Sequence, residues 1–495
     1  MSALDRRTFL LTSAVAATAA AVSSFSSPWG LAQEHKAYRF PRDFFWGAAT
    51  AAAQVEGSPS ADGGGESIWD VFLRSPHATK DGSTNLIADD EYHRWPEDIK
   101  LMSEIGVNAY RFSISWARVF PDGKRVNEKA LEHYSRLVDA LLKAGITPFV
   151  TIYHFDYPEV LQKAGGWLHP DSPQWLANYA HVLSGRLSDR VEYWLTINEP
   201  NILWGFGNEA GMMPPSQKLS DRDLVRGAHN ILLGHGKAVQ AIRAGAKRPL
   251  QISLAFAGMF SLPASESAED VKVAREESFS VRKKKTIPDV PPMAMLSNAW
   301  WLDPIFLGKY PADGLKLFPD AEKLADSGDM KTIHEPLDFC AVNLYSAPTV
   351  KAGANGAAET VPEPPDVPRS HYGWAVTPDL MYWAPRFLFD RYKKAIAITE
   401  NGISLDDKPA ADGAVHDPQR TAFLNSYLKR FRDAGQDGVP LKGYFHWSLL
   451  DNFEWTQGFS ERFGLIYVNF GTQKRIIKDS AARYREIIQS RGAAL

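Results

Sequence analysis

Eight short apolar runs, rich in strand formers, alternate with amphipathic stretches along most of this chain. They lie at 44–52, 109–116, 147–154, 193–197, 251–259, 339–345, 395–399 and 443–448. Between them, residues 96–105, 128–143, 173–187 and 221–243 carry apolar side chains at helical spacing. Gly106, Gly145 and Gly245 stand where three of those helices should stop. Strand and helix in alternation, eight times over, predict an α/β protein with a single (β/α)8 TIM barrel. A doubly wound sheet also alternates, but it needs a glycine-rich phosphate turn after its first strand. The longest Gly run, Gly63-Gly64-Gly65, is flanked by Asp62 and Glu66 and reads as a loop. No domain boundary shows within 33–495. Residues 263–292 and 351–369 read as inserted loops on the catalytic face.

Residues 1–32 stand apart from this pattern. Arg6-Arg7 precede Phe9-Leu10-Leu11, then comes an Ala-rich uncharged stretch, then Gly30-Leu31-Ala32. A charged start, a short apolar run and a small-x-small site are the parts of a signal peptide, here of the twin-arginine type. The expected mature chain starts near Gln33 and is periplasmic or secreted. The apolar run is short for a membrane span, and no later run is long enough, so no membrane partner is expected for the mature form. A net charge of −3 over 495 residues gives no reason to expect nucleic acid. Cys340 is the single cysteine, which excludes an intramolecular disulfide and a cysteine metal site. Fifteen tryptophans serve either a core or a sugar cleft, since pyranose C–H faces pack on aromatic rings.

In a barrel of this kind the C-terminal strand ends carry the chemistry. The first strand leads to Gln54 and Glu56, the second contains Arg111, and the third ends His154-Phe155-Asp156. The fourth ends Asn198-Glu199-Pro200, the sixth Asn343-Leu344-Tyr345, and the seventh Ile398-Thr399-Glu400-Asn401-Gly402. The eighth runs through Trp447 to Asp451-Asn452-Phe453-Glu454-Trp455. Glu199 and Glu400 thus fall on opposite sides of a barrel mouth. Glycoside hydrolysis uses such a pair, one carboxylic acid to protonate the leaving oxygen and one carboxylate to attack or to activate water. Arg111 and Tyr345 are expected beside Glu400, where a cation and a hydroxyl favour the ionised form. Glu199 is then the group expected to keep its proton. No histidine pair at helical spacing or cysteine cluster points to a metal, and no G-x-S-x-G elbow points to a serine nucleophile. No cofactor is expected.

Six blocks, in order, resemble glycoside hydrolase family 1, the retaining β-glucosidase family. They are 44–50 with 54–57, 110–116, 196–200, 398–402, 443–455 and 462–465. The resemblance covers about Tyr38 to Ile488 and implies a role for each matching residue. Glu400 matches the nucleophile and Glu199 the acid/base. Gln54, His154, Asn198, Glu454 and Trp455 match groups that bind sugar hydroxyls, and Trp447 the ring under the sugar. Tyr345 and Arg111 match the pair that orients the nucleophile, and Asn343 a neighbour of the site. Trp374 looks like the gatekeeper of the leaving-group subsite. Phe463, in the last block, is counted with the substrate-binding set.

Some positions depart from the family. Phe155 replaces the usual Trp and loses an indole N–H, Leu344 replaces a common Tyr, and Asn201 stands where an apolar residue is usual. Asn201 is expected to make the leaving-group side more polar. Glu454-Trp455 argues for a neutral sugar, since phosphosugar enzymes of the family carry other residues there. The resemblance therefore implies an exo-acting retaining β-glucosidase taking small glycosides. Activity on β-galactosides or β-fucosides, hydrolysis within a β-glucan, and a non-catalytic glycan-binding protein are the alternatives. Oligomeric state is left open.

Overall fold

Eight parallel strands close into a barrel in which every strand pairs with its neighbours in sequence. They are β1 (Phe45–Ala49), β2 (Ala109–Ser113), β3 (Thr147–Tyr153) and β4 (Tyr193–Asn198). β5 (Gln251–Ala257), β6 (Cys340–Asn343), β7 (Ile396–Asn401) and β8 (Leu441–Trp447) complete the ring, β8 pairing back to β1. This is a computed structural model describing residues 38–285, 290–324 and 328–495. The expected signal segment, 1–32, lies outside the described residues.

The interior of the ring explains why strands of this composition close. Ala49, Ala109, Ala255, Ala341 and Ala397 leave room for Phe149, Phe339, Phe445 and Leu195, and together they form one buried apolar cluster. Phe149 stacks on Tyr193 with ring centroids 4.3 Å apart and meets Phe445 edge-on at 4.7 Å. Small residues on some strands and rings on others fill the barrel as a packed core rather than a pore. The same cluster reaches the catalytic end, where Trp447 and Phe463 belong to it and Tyr345 and Trp374 pack on it. Amphipathic helices form the outer layer. Glu128–Lys143 buries Leu131, Leu137, Val138 and Leu141, one face of a 3.6-residue period.

The expected strands all form, with ends shifted by a few residues. β7 continues past Thr399 through Glu400 and Asn401, and β1 stops at Ala49 so that Gln54 sits on a short helix, Ala52–Val55. Parts of the two stretches read as inserted loops form regular structure. Leu262–Pro263, Thr349–Ala352 and Ala358–Val361 make a small three-stranded sheet. Ala268–Phe279 is a helix, started by the Ser267 hydroxyl accepting from the Asp270 N–H at 3.1 Å. Its charge density hides a short buried set, Val273, Ala274 and Phe279, which is what holds it to the barrel.

Beneath the loops that follow β7 and β8 lies a buried network with three cations and three carboxylates. Lys478 Nζ donates to Asp407 and to Asp451, each at 2.6 Å. Arg420 pairs with Asp407 at 2.7 Å and Asp417 at 2.5 Å, and Arg462 with Asp451 at 2.8 Å. Asp451 also accepts from the Gly464 N–H at 2.9 Å. These charges tie the chain after Glu400 to the chain leading into Glu454. Removing one partner of a buried pair strands the other, at a cost of about 3–5 kcal/mol. Lys478→Met is therefore expected to lower the denaturant midpoint by a corresponding amount, read by equilibrium unfolding; an unchanged midpoint would contradict this role for the network.

Candidate active site

Glu199 follows β4 directly and adopts a left-handed backbone, φ 44°, ψ 58°, before Pro200 opens a short helix. A non-glycine residue held there costs on the order of 1–3 kcal/mol. Its N–H is fixed on the Ala255 carbonyl at 2.7 Å. Glu400 lies within β7, where the register against β6 and against β8 shifts after Ile398. The β4–β5 register shifts before Asn198 as well. Such irregularities re-aim side chains at a sheet's rim. Gly402 shows how closely β7 is drawn to β8, because a Cβ there would stand 1.8 Å from the Trp447 carbonyl oxygen.

Arg111, fully buried on β2, spans the barrel. Its Nη1 donates to Glu400 Oε1 at 2.6 Å and to the Thr399 carbonyl at 3.0 Å. Nη2 donates to Asn198 Oδ1 at 2.5 Å and Nε to Thr151 Oγ1 at 3.1 Å. The Tyr345 hydroxyl donates to Glu400 Oε2 at 2.7 Å. Glu400 thus has a partner on each oxygen. Glu199 has one, Asn343 Nδ2, which donates to its Oε1 at 2.8 Å and to Asn198 Oδ1 at 3.2 Å. Thr399 Oγ1 holds Asn343 in turn, donating to its Oδ1 at 2.7 Å.

The two carboxyls therefore differ. Burial, and then the charge of Glu400, push Glu199 up to about 8, only partly opposed by Asn343 and Arg111. Burial also raises Glu400 above a free glutamate, but Arg111 pulls hard against it, as do hydrogen bonds from Tyr345 and Asn343. With one proton between them, Glu199 is the better place for it.

A set of hydroxyl-seeking groups surrounds the pair. Gln54 Nε2 donates to the Phe453 carbonyl at 2.9 Å and Glu454 Oε2 at 3.1 Å, while its buried Oε1 finds no protein partner. His154 Nε2 faces the Asn198 amide nitrogen at 2.9 Å. Burial, and then Arg111, hold the imidazole neutral. Nε2 is therefore the acceptor, and Nδ1 carries the proton with no protein partner. Glu454 is pushed up to about 8 by burial and then by Glu400, against hydrogen bonds from Gln54 and Trp447. The ring of Trp447 lies 5.8 Å from that of His154, and Trp455 packs on Phe155 at 5.1 Å and on Trp69 at 4.6 Å. Trp374 packs on Tyr345 at 5.4 Å and on Phe463 at 6.3 Å. Phe463 itself is buried, so it meets the site as the floor beneath those rings.

Three polar positions read with the site belong elsewhere. Glu56 is paired with Arg118 at 2.7 Å and accepts from the Tyr134 hydroxyl at 2.8 Å, so it braces the strand ends. Asp156 accepts from the Trp116 N–H at 2.9 Å in the same buried layer. Asn201 is buried too, its Nδ2 holding the Ala257 carbonyl at 2.9 Å, so it anchors β5 instead of lending polarity to a leaving group. Thr151 and Thr399 are the residues that sequence reasoning passed over. Both lie in strands, at positions where a hydroxyl looks like a β-propensity choice.

Comparison with known proteins agrees with this fold. The pattern of Glycosyl hydrolase family 1 matches residues 36–493. Beta-glucosidase A of Thermotoga maritima is 41% identical over 460 residues, covering 92% of this chain and 98% of that protein. The 1,4-beta-D-glucan glucohydrolase of Thermotoga neapolitana is likewise 41% identical, with 92% and 99% covered. The structure of the family 1 β-glucosidase from Thermotoga maritima with isofagomine lactam superposes with a TM-score of 0.81 at 40% identity, covering 92% of this chain and 99% of that one. This chain belongs to glycosyl hydrolase family 1.

Proposed function

We infer that the protein is an exo-acting retaining β-glucosidase that removes terminal β-D-glucosyl residues from oligosaccharides or from aryl and alkyl glucosides. One observation carries this reading. Two buried glutamates face one site, and only one of them has both a cation and a phenol on its carboxylate. That asymmetry is what a double displacement requires. Glu199 gives its proton to the glycosidic oxygen as the Glu400 carboxylate attacks the anomeric carbon, breaking the bond to the leaving group and forming a glycosyl ester. Glu199, now ionised, takes a proton from water. The oxygen of that water displaces Glu400 and releases the sugar with its configuration retained.

Glucose is the sugar in the names of the relatives, a β-glucosidase and a glucan glucohydrolase. The chemistry of the surrounding groups supports a hydroxyl-rich ring. A buried polar atom left without a partner costs about 1–3 kcal/mol, so Gln54 Oε1 and His154 Nδ1 favour a ligand that offers a donor and an acceptor. Gln54, Glu454 and Trp455 closing in from two strand ends stand against the open groove that cutting within a β-glucan needs.

The Glu199 proton sets the alkaline limit of kcat/KM. As pH rises through about 8 that proton is lost and activity falls, whereas loss of activity at acid pH marks protonation of Glu400, above a free glutamate's ordinary value. The two limits belong to the pair together. Glu199→Ala is expected to abolish the alkaline limb. It should cost roughly 10²–10⁴-fold on glucosides with poor leaving groups and far less on activated aryl glucosides, which need no acid. Equal losses on both kinds of substrate would contradict the acid role.

Export through a twin-arginine route is also proposed, supported by Arg6-Arg7 and the Ala-rich run after them. Intact mass of the exported protein should place its start near Gln33, and Arg6→Lys with Arg7→Lys should hold it inside. Exported protein still beginning at Met1 would overturn the cleavage, and undiminished export of the double variant the route.

A further inference from the structure

Three aromatic rings step outward from Glu400. Tyr345 bonds the carboxylate, Trp374 packs on Tyr345 with centroids 5.4 Å apart, and Tyr372 stacks on Trp374 at 4.5 Å and 28°. Only the first two were expected at the site. Tyr372 is 37% exposed, one of few large apolar side chains so open among the described residues. Single exposed rings are ordinary on protein surfaces, but this one is fixed in place at the rim of the site.

The turn carrying it is tightly held. The Tyr372 N–H donates to Ser404 Oγ at 3.0 Å and the His371 N–H to the Ser404 carbonyl at 2.8 Å, just beyond the Glu400 strand. Ser370 closes the turn, donating its N–H to the Trp374 carbonyl at 2.9 Å and accepting from the Trp374 N–H at 3.1 Å. Arg369 donates to the Gly373 carbonyl at 3.0 Å. On the far side, His371 meets Glu461 at 3.1 Å. Burial, and then the charges of Glu454 and Glu461, keep the Tyr372 phenol protonated, while a hydrogen bond with Gln457 pulls the other way. Tyr372 therefore stands between the ring that resembles the leaving-group gatekeeper and the loop that carries Glu454. Its orientation is preset, so a ligand stacking on it does not have to order the loop first.

We propose that Tyr372 is a specificity-determining residue, whose ring, stacked on Trp374, forms a second leaving-group platform for the second sugar of the leaving group, two units from the one that is released. Its chemistry is that of a flat amphipathic face, apolar across the ring and polar at the hydroxyl, which suits the C–H face of a β-linked pyranose. This rests on the β-glucosidase reading and extends it from a single leaving group to an oligosaccharide.

The test compares kcat/KM for cellotriose and cellobiose, which differ only in the extra glucosyl unit on the leaving side. In Tyr372→Ala the cellotriose-to-cellobiose ratio is expected to fall roughly three- to tenfold, and in Tyr372→Phe, which keeps the ring, to stay near the wild-type value. An unchanged ratio in Tyr372→Ala would overturn the proposal. So would an equal fall in Tyr372→Phe, because the hydroxyl contact with Gln457 would then be the cause. Failure of the underlying activity looks different, since the wild-type protein would then cleave neither sugar.

Discussion

The guanidinium of Arg111 is the point on which the site depends. A planar cation, it presents five donors in a fixed fork. Here the fork reaches β7 through Glu400 and Thr399, β4 through Asn198 and β3 through Thr151. Four strands of the barrel are thus held in register by one buried side chain whose charge Glu400 balances. A buried cation of this kind is costly unless paired and fully hydrogen-bonded, and the ring of acceptors around it meets both needs. The electrostatic difference between Glu199 and Glu400 follows from where Arg111 points.

Other parts of the molecule serve that arrangement. The Ala and Phe layers bring strand ends to fixed heights, and the Lys478–Asp451–Arg462 network fixes the chain that leads to Glu454. Three residues at the site, Phe155, Glu199 and Trp455, have positive φ angles of 71°, 44° and 49°. None is a glycine, so each is held against its own preference by surrounding packing. Two of the three touch each other, Phe155 and Trp455, and the third carries the carboxyl that keeps its proton. Strain is spent at the strand ends, where direction matters more than local comfort.

Much of this could be read from the chain itself, for identifiable reasons. The barrel strands are continuous apolar runs because parallel strands are buried on both faces, and that signal survives without any structure. Glu400 was visible because a carboxylate closing such a run is out of place in a core. The helix 268–279 was not visible, since its buried apolar side is only Val273, Ala274 and Phe279 and its charges dominate the pattern. Glu56, Asp156 and Asn201 read like site residues because a polar group near a strand end looks the same whether it faces a ligand or braces a neighbour. Only their partners, Arg118, Trp116 and the Ala257 carbonyl, tell the difference. Tyr372 carried no motif, and its stacking on Trp374 is a matter of turn geometry.

The central claim is that Glu400 becomes covalently bound to the sugar while Glu199 keeps the proton. Incubating the protein with a 2-fluoroglucoside that carries an activated leaving group, so that the fluorine slows both steps while the leaving group lets the ester form faster than it is hydrolysed, followed by intact-mass measurement and peptide mapping, tests it most directly. The account predicts a one-to-one adduct on the peptide containing Glu400. An adduct on Glu199, or fully active and unmodified protein whose first-formed product has inverted configuration, would contradict it.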